Sequence, residues 1–148
     1  MIKTKRIYLR RFTKDEADLL FQLDGDADVM KYITLGVPRT MDEVIEKSMP
    51  RILKSYQGKT DFGIFAAYLI NSEKYIGWFQ FEEDKEFEHS IEIGWRLKKQ
   101  YWGNGYATEV ATVLCDLGIK MGKTIVARAM IENLASIRVM EKAGLKFE

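Results

Sequence analysis

The stretch from Ser90 to Glu109 constrains this chain more than any other. Ile91, Ile93, Trp95 and Leu97 alternate with Ser90, Glu92, Gly94 and Arg96, so the two sets fall on opposite faces of a strand. Gly103 and Gly105 then break the pattern. Ala107, Val110, Ala111, Leu114, Leu117 and Met121 recur at helical spacing until Gly122, a residue suited to a helix C-terminus. A strand that turns through glycines into a helix leaves the first-turn N–H groups unsatisfied at the positive end of the helix dipole. The glycines also let the backbone come close to a ligand, so a pyrophosphate is the natural guest of this turn. The same residues also read as a left-handed turn with no ligand, and a lone G-x-G does not decide between the two. No G-x-x-x-x-G-K-[ST] is present, and no third glycine completes G-x-G-x-x-G. Both absences argue against a nucleoside-triphosphatase or a dinucleotide dehydrogenase.

The surrounding pattern is a mixture of strands and helices. Arg6 to Phe12 alternates like a half-buried strand, and Thr13 before Asp15 and Glu16 gives a helix start leading to Leu19, Leu20 and Leu23. A second helical stretch is expected over Asp26 to Tyr32. Gly36-Val-Pro38 reads as a loop, and Met41 to Tyr56 as a helix bent or broken near Met49, because Pro50 has no N–H to donate. Phe62 to Ile70 is continuously apolar, as in a strand buried on both faces. Asn71-Ser-Glu reads as a turn, and Lys74 to Phe81 as another strand. Thr124 to Met130 is strand-like. Asn133 suits the N-cap of a helix that carries Ile137, Met140 and Ala143 and closes at Gly144. Leu145 to Glu148 is a candidate for one more strand. Hairpins followed by strand–helix–strand–helix predict an α/β (α+β) sheet protein.

A chain of 148 residues, 47% hydrophobic, is one ordinary domain with a sizeable core, and 1–148 reads as that single domain. A net charge of +1 removes the broad basic footprint of a nucleic-acid binder. A single cysteine, Cys115, and a single histidine, His89, argue against an internal disulfide and a Cys/His zinc site, so no metal is expected. The first residues lack a signal-peptide pattern and no apolar run is long enough for a membrane span, which predicts a cytoplasmic protein.

Four blocks resemble one family. Gln100-x-x-Gly103-x-Gly105 running into Tyr106-Ala-Thr-Glu109 is similar to the acetyl-coenzyme-A motif of the GNAT superfamily of N-acetyltransferases. Thr4 to Phe12 with Asp28 to Ile33, Glu92 to Leu97, and Asn133 to Gly144 resemble the subgroup that acetylates ribosomal-protein N-termini. The resemblance implies a mixed, mostly antiparallel sheet flanked by helices, with acetyl-CoA as cosubstrate. It implies that the strand end at Leu97, Lys98 and Lys99 pairs with the pantetheine arm. The amides of Trp102, Gly103, Asn104, Gly105, Tyr106, Ala107 and Thr108 would hold the pyrophosphate, with Asn133 near the coenzyme arm and Ser136 near the thioester sulfur. Two features depart from the pattern. The overlapping frame Trp102-x-x-Gly105-x-Ala107 has Trp where Gln or Arg is commoner, and Met140 stands where many members carry a proton-donating tyrosine. The element order also stops one or two strands short of the family's usual length, leaving part of the acceptor pocket unbuilt or contributed by another chain, as in a homodimer.

Acetyl transfer requires a neutral amine. Glu92 is the candidate base, against the plainer reading of a salt-bridged surface glutamate, and a backbone N–H near Leu97 would face the oxyanion. An α-amine with a pKa of ~8 needs less help than a lysine at ~10.4. The subgroup resemblance implies a protein or peptide N-terminus as the acceptor. The alternatives are a small-molecule amine, a non-catalytic acyl-CoA-binding module, or a nucleotide-binding protein using the same loop. His89 is expected in an exposed turn and Cys115 in packing. Trp78, Trp95 and Trp102 are expected mostly in the core, with flanking of the coenzyme as the alternative for Trp102. Lys98, Lys99, Arg138 and Lys142 read as surface charge or phosphate ligands.

Overall fold

The computed structural model describes residues 2–58 and 60–147. Six strands form one sheet in chain order: β1 (Ile2–Lys3), β2 (Ile7–Arg11), β3 (Gly63–Leu69), β4 (Tyr75–Glu83), β5 (Ser90–Leu97) and β6 (Thr124–Val126). Every neighbouring pair is antiparallel except β5 and β6, which run parallel. The parallel pair is joined by α4 (Tyr106–Lys120), the crossover such a connection needs. Before β3 come α1 (Ala17–Asp24), α2 (Met41–Glu43) and α3 (Met49–Lys54), and after β6 comes α5 (Leu134–Lys142).

The sheet is buried on both faces, and β3 shows why its sequence is continuously apolar. Ile64 and Ala66 pack with Leu20, Leu23, Val44, Met49 and Ile52 of the early helices. Phe65 and Ala67 pack into the opposite core with Phe79, Phe81, Ile91, Ile93 and, from α4, Val110, Ala111 and Leu114. Cys115 lies in that second core, where burial pushes its thiol up, so it packs and does not attack.

Several sequence expectations need correction. The helix start at Thr13 is displaced: Thr13 N–H donates to Glu16 Oε1 at 2.8 Å, and α1 begins only at Ala17. Asp26 to Tyr32 forms successive turns and no sustained helix. Asp26 Oδ1 accepts the N–H groups of Asp28 at 2.9 Å and Val29 at 3.4 Å, a local bond that competes with helix propagation. The bend expected near Met49 is real and has a specific form. Val44–Ser48 is π-helical, and Met49 N–H reaches back five residues to Val44 C=O. The wide turn sits just before Pro50, which cannot donate, and lets the helix resume beyond it. The strand expected over Thr124 to Met130 ends at Val126, and the described part of Leu145 to Glu148 is not a strand. No helix of the described residues is long and apolar enough to cross a membrane.

Candidate active site

The early end of β6 creates the site. β5 pairs with β6 only from Ser90 to Glu92 and then runs on to Leu97 paired on its β4 side alone. Lys98 N–H donates to Ile76 C=O at 2.9 Å. Antiparallel alternation therefore turns the N–H and C=O of Trp95 and Leu97 away from β4 and toward the gap that β6 has left. Of the three residues expected to pair with the pantetheine arm, Lys98 has already spent its N–H on β4. The Leu97 carbonyl is also engaged, accepting Trp102 Nε1 at 2.9 Å. The Leu97 and Trp95 N–H groups are what this edge offers a ligand.

The glycine turn follows directly. Gly103 and Gly105 have φ of +77° and +78°, the left-handed region that favours glycine, and Gly105 starts α4 with no side-chain cap. The Trp102 N–H, expected among the pyrophosphate donors, is instead given to the Lys99 carbonyl at 3.1 Å, whereas among the described residues none of the N–H groups of 103–108 donates to a protein acceptor. A β-carbon on Gly103 would meet nothing within 4 Å, so the concave side is open. Asn104 faces inward on its own loop: its Nδ2 donates to the Tyr101 carbonyl at 3.1 Å and the Trp102 carbonyl at 3.2 Å, fixing the turn's shape. Trp102 is not core. It is 47% exposed and lines the cleft.

Strand end, turn and α5 enclose a cleft of about 620 Å³, lined also by Val29, Tyr32 and Val139. Asn133 and Ser136 are both in its wall. Asn133 Oδ1 accepts Ser136 N–H at 3.2 Å as the N-cap of α5, which leaves its amide NH₂ and the Ser136 hydroxyl for a ligand. Met140 is half-buried and outside the lining residues. Among the described residues the charge of the wall is lopsided: Lys31, Arg96, Lys99, Arg138 and Lys142 against one carboxylate, Asp28. Asp28 is answered by Lys99 Nζ at 2.7 Å, which holds the carboxyl below its usual range and raises the ammonium. Arg138 and Lys142 make no ion pair among the described residues. Arg96, which sequence reading placed only on a strand face, is anchored to buried Asp24 at 2.7 Å, and burial lowers its pKa. Its place on the polar face of the strand, directly before the strand end at Leu97, was its one signal.

Glu92 is elsewhere. It lines a separate pocket of about 240 Å³ with Arg51, Glu82, Glu83, Asp84, Lys85, Glu86 and Arg128. Its Oε2 accepts Arg128 Nη1 at 2.9 Å and its Oε1 accepts Gln80 Nε2 at 3.3 Å, so both oxygens are occupied. Glu92, the candidate base, is thus a buttressed carboxylate outside the residues that line the main cleft. Arg128 also bridges Asp84 at 2.7 Å and Glu86 at 3.1 Å, and it holds the Asp84 carboxyl down at about 2. His89 is an exposed turn residue with φ of +58°, as its neighbours suggest.

Comparison with known proteins agrees with this geometry. Residues 6–146 match the model of the acetyltransferase (GNAT) domain. An uncharacterized N-acetyltransferase of Bacillus subtilis, YnaD, is 32% identical over 150 residues, covering 99% of this chain and 83% of that relative. The crystal structure of a GNAT-family acetyltransferase from Bacillus anthracis superposes with a TM-score of 0.80 at 32% identity, covering 99% of this chain and 84% of its own. A ribosomal L7/L12 α-N-protein acetyltransferase, RimL, bound to coenzyme A shares the fold at a TM-score of 0.78 and 16% identity, covering 98% of this chain and 82% of its own.

Proposed function

The chain belongs to the acetyltransferase (GNAT) family and is an acetyl-CoA-dependent acetyltransferase, and we propose that it transfers acetyl directly to a protein or peptide N-terminus. In this reading the coenzyme's diphosphate rests on the amides of residues 103–108, with Arg138 and Lys142 nearby. Its pantetheine arm lies along the Trp95–Leu97 edge, where Asn133 reaches it. The thioester then stands beside Ser136. The amine nitrogen attacks the thioester carbon, a C–N bond forms, the C–S bond breaks, and the coenzyme leaves as thiolate. The proton shed by the amine goes to solvent, and the Ser136 hydroxyl donates a hydrogen bond to the departing sulfur. The Leu97 N–H is the donor available to the oxyanion.

The observation that carries the choice of acceptor is the poverty of bases in the cleft. Its one carboxylate among the described residues, Asp28, is occupied by Lys99, and Glu92 is occupied by Arg128 and Gln80. Such a site suits an amine that is already partly neutral, and an α-amine at ~8 meets that condition where a lysine at ~10.4 does not. A second reading, a small polycationic amine, has one observation in its favour: the Glu92 pocket carries five carboxylates against three basic side chains. Thiol release from acetyl-CoA with three acceptors separates them. Peptides with free N-termini should turn over, N-blocked lysine peptides should not, and a polyamine turned over in preference to any free N-terminus would replace the first reading with the second.

A further inference from the structure

Glu109 sits in the first turn of α4, and its N–H donates to Gly105 C=O at 3.0 Å. A carboxylate there favours the bare helix dipole but repels an anionic ligand held by the same amides. Glu109 is not left bare. Thr4 Oγ1 donates to its Oε2 at 2.5 Å, Arg6 N–H to its Oε2 at 2.9 Å, and Arg6 Nε to its Oε1 at 2.6 Å. Burial raises its pKa, but the hydrogen bonds from Thr4 and Arg6 outweigh that and hold it ionised below its usual range. The Arg6 guanidinium lies over the Tyr106 ring, 4.5 Å from its centroid, and a β-carbon on Gly105 would come 3.5 Å from Arg6 Nη2. The guanidinium is therefore against the glycine turn itself, delivered from a segment 103 positions away in sequence.

We infer that Arg6 is a positioning residue for the coenzyme: it cancels the Glu109 charge and braces Tyr106 and Gly105, so that the amides of the turn present a net attraction to a diphosphate. The inference rests on the functional reading above, in which that turn holds acetyl-CoA. A guanidinium suits the task because Nε can face the carboxylate while the planar group stacks on the tyrosine ring. Thr4 adds a bond but no charge, so the electrostatic part of the role belongs to Arg6.

Calorimetric binding of coenzyme A, with steady-state kcat and KM, tests this on R6M, E109Q, R6K and the R6M/E109Q double variant. R6M should raise the Kd of coenzyme A and the KM of acetyl-CoA about tenfold, with kcat at saturation within about twofold, because an unopposed carboxylate then faces the diphosphate. Removing that carboxylate as well should restore affinity, leaving the double variant within about threefold of wild type, and R6K should also stay within about threefold. A purely structural role would lower the Tm of R6M and of the double variant alike without restoring affinity in the latter. R6M affinity equal to wild type, or a double variant as weak as R6M, overturns the inference. A wild-type protein that does not bind coenzyme A at all overturns the functional reading, and this inference with it.

Discussion

The basic cleft and the acidic pocket lie along the same strand, β5, and treat charge in opposite ways. In the pocket, Arg128 is shared among Asp84, Glu86 and Glu92, and Arg51 answers Glu82 at 2.8 Å. In the cleft, Arg138 and Lys142 have no acidic partner among the described residues, and six consecutive backbone amides stand open beside them. Charges that satisfy one another hold a structure together, whereas charges left unsatisfied next to open donors await an anion. The overall charge of +1 conceals this division.

Breaking the cleft side should have the largest effect. Gly105→Val forces a β-branched residue to φ of +78°. Strain of about 1–3 kcal/mol there, relieved by rotating the amides out of line, corresponds to a loss of coenzyme A affinity of about 5- to 150-fold. Calorimetry checks the affinity and circular dichroism checks that the fold survives. Next in size, replacing Arg138 and Lys142 by Gln should weaken coenzyme A binding about tenfold at low ionic strength. The difference from wild type should shrink in a titration with added salt.

The pocket side should respond in stability and little in chemistry. Glu92→Gln should change kcat by less than about threefold across pH, far below the ~10²–10⁴ that a direct base contributes. A larger loss at neutral and lower pH would return Glu92 to the reaction. Arg128→Ala should lower Tm at neutral pH, and the pH dependence has a definite sign. Asp84 is depressed in the folded state, so its contribution is present above its unfolded pKa of ~3.9 and fades as pH falls toward about 2. Melting curves of wild type and variant should therefore converge between those limits. Ser136→Ala, on the cleft side, should give a several-fold drop in kcat with coenzyme A affinity unchanged, read from the same assays.

Much of this was legible before any coordinates. The period-two alternation gave β5 its bounds, the two glycines gave the turn, and Asn133 gave the capped start of α5. Local chemistry sufficed for those. What was not legible depended on partners distant in sequence. Glu92 reads equally as base or as ion-paired glutamate because its partner Arg128 lies 36 residues away, and Trp102 as core or coenzyme flank because nothing nearby shows that β6 stops early. Asp26 misled for the opposite reason. Its hydrogen bonds to Asp28 and Val29 are local, but they favour turns over the helix that the spacing of apolar residues suggested.

The central claim is that the backbone amides of residues 103–108 receive the coenzyme's diphosphate. Amide chemical shifts followed by ¹⁵N-resolved NMR during a titration with coenzyme A test it most directly. The account predicts that the largest shifts fall on Gly103 to Thr108, with smaller ones on Trp95, Leu97 and the start of α5, and nearly none on Glu82 to Glu86. Saturable binding that leaves the amides of 103–108 unmoved would contradict it.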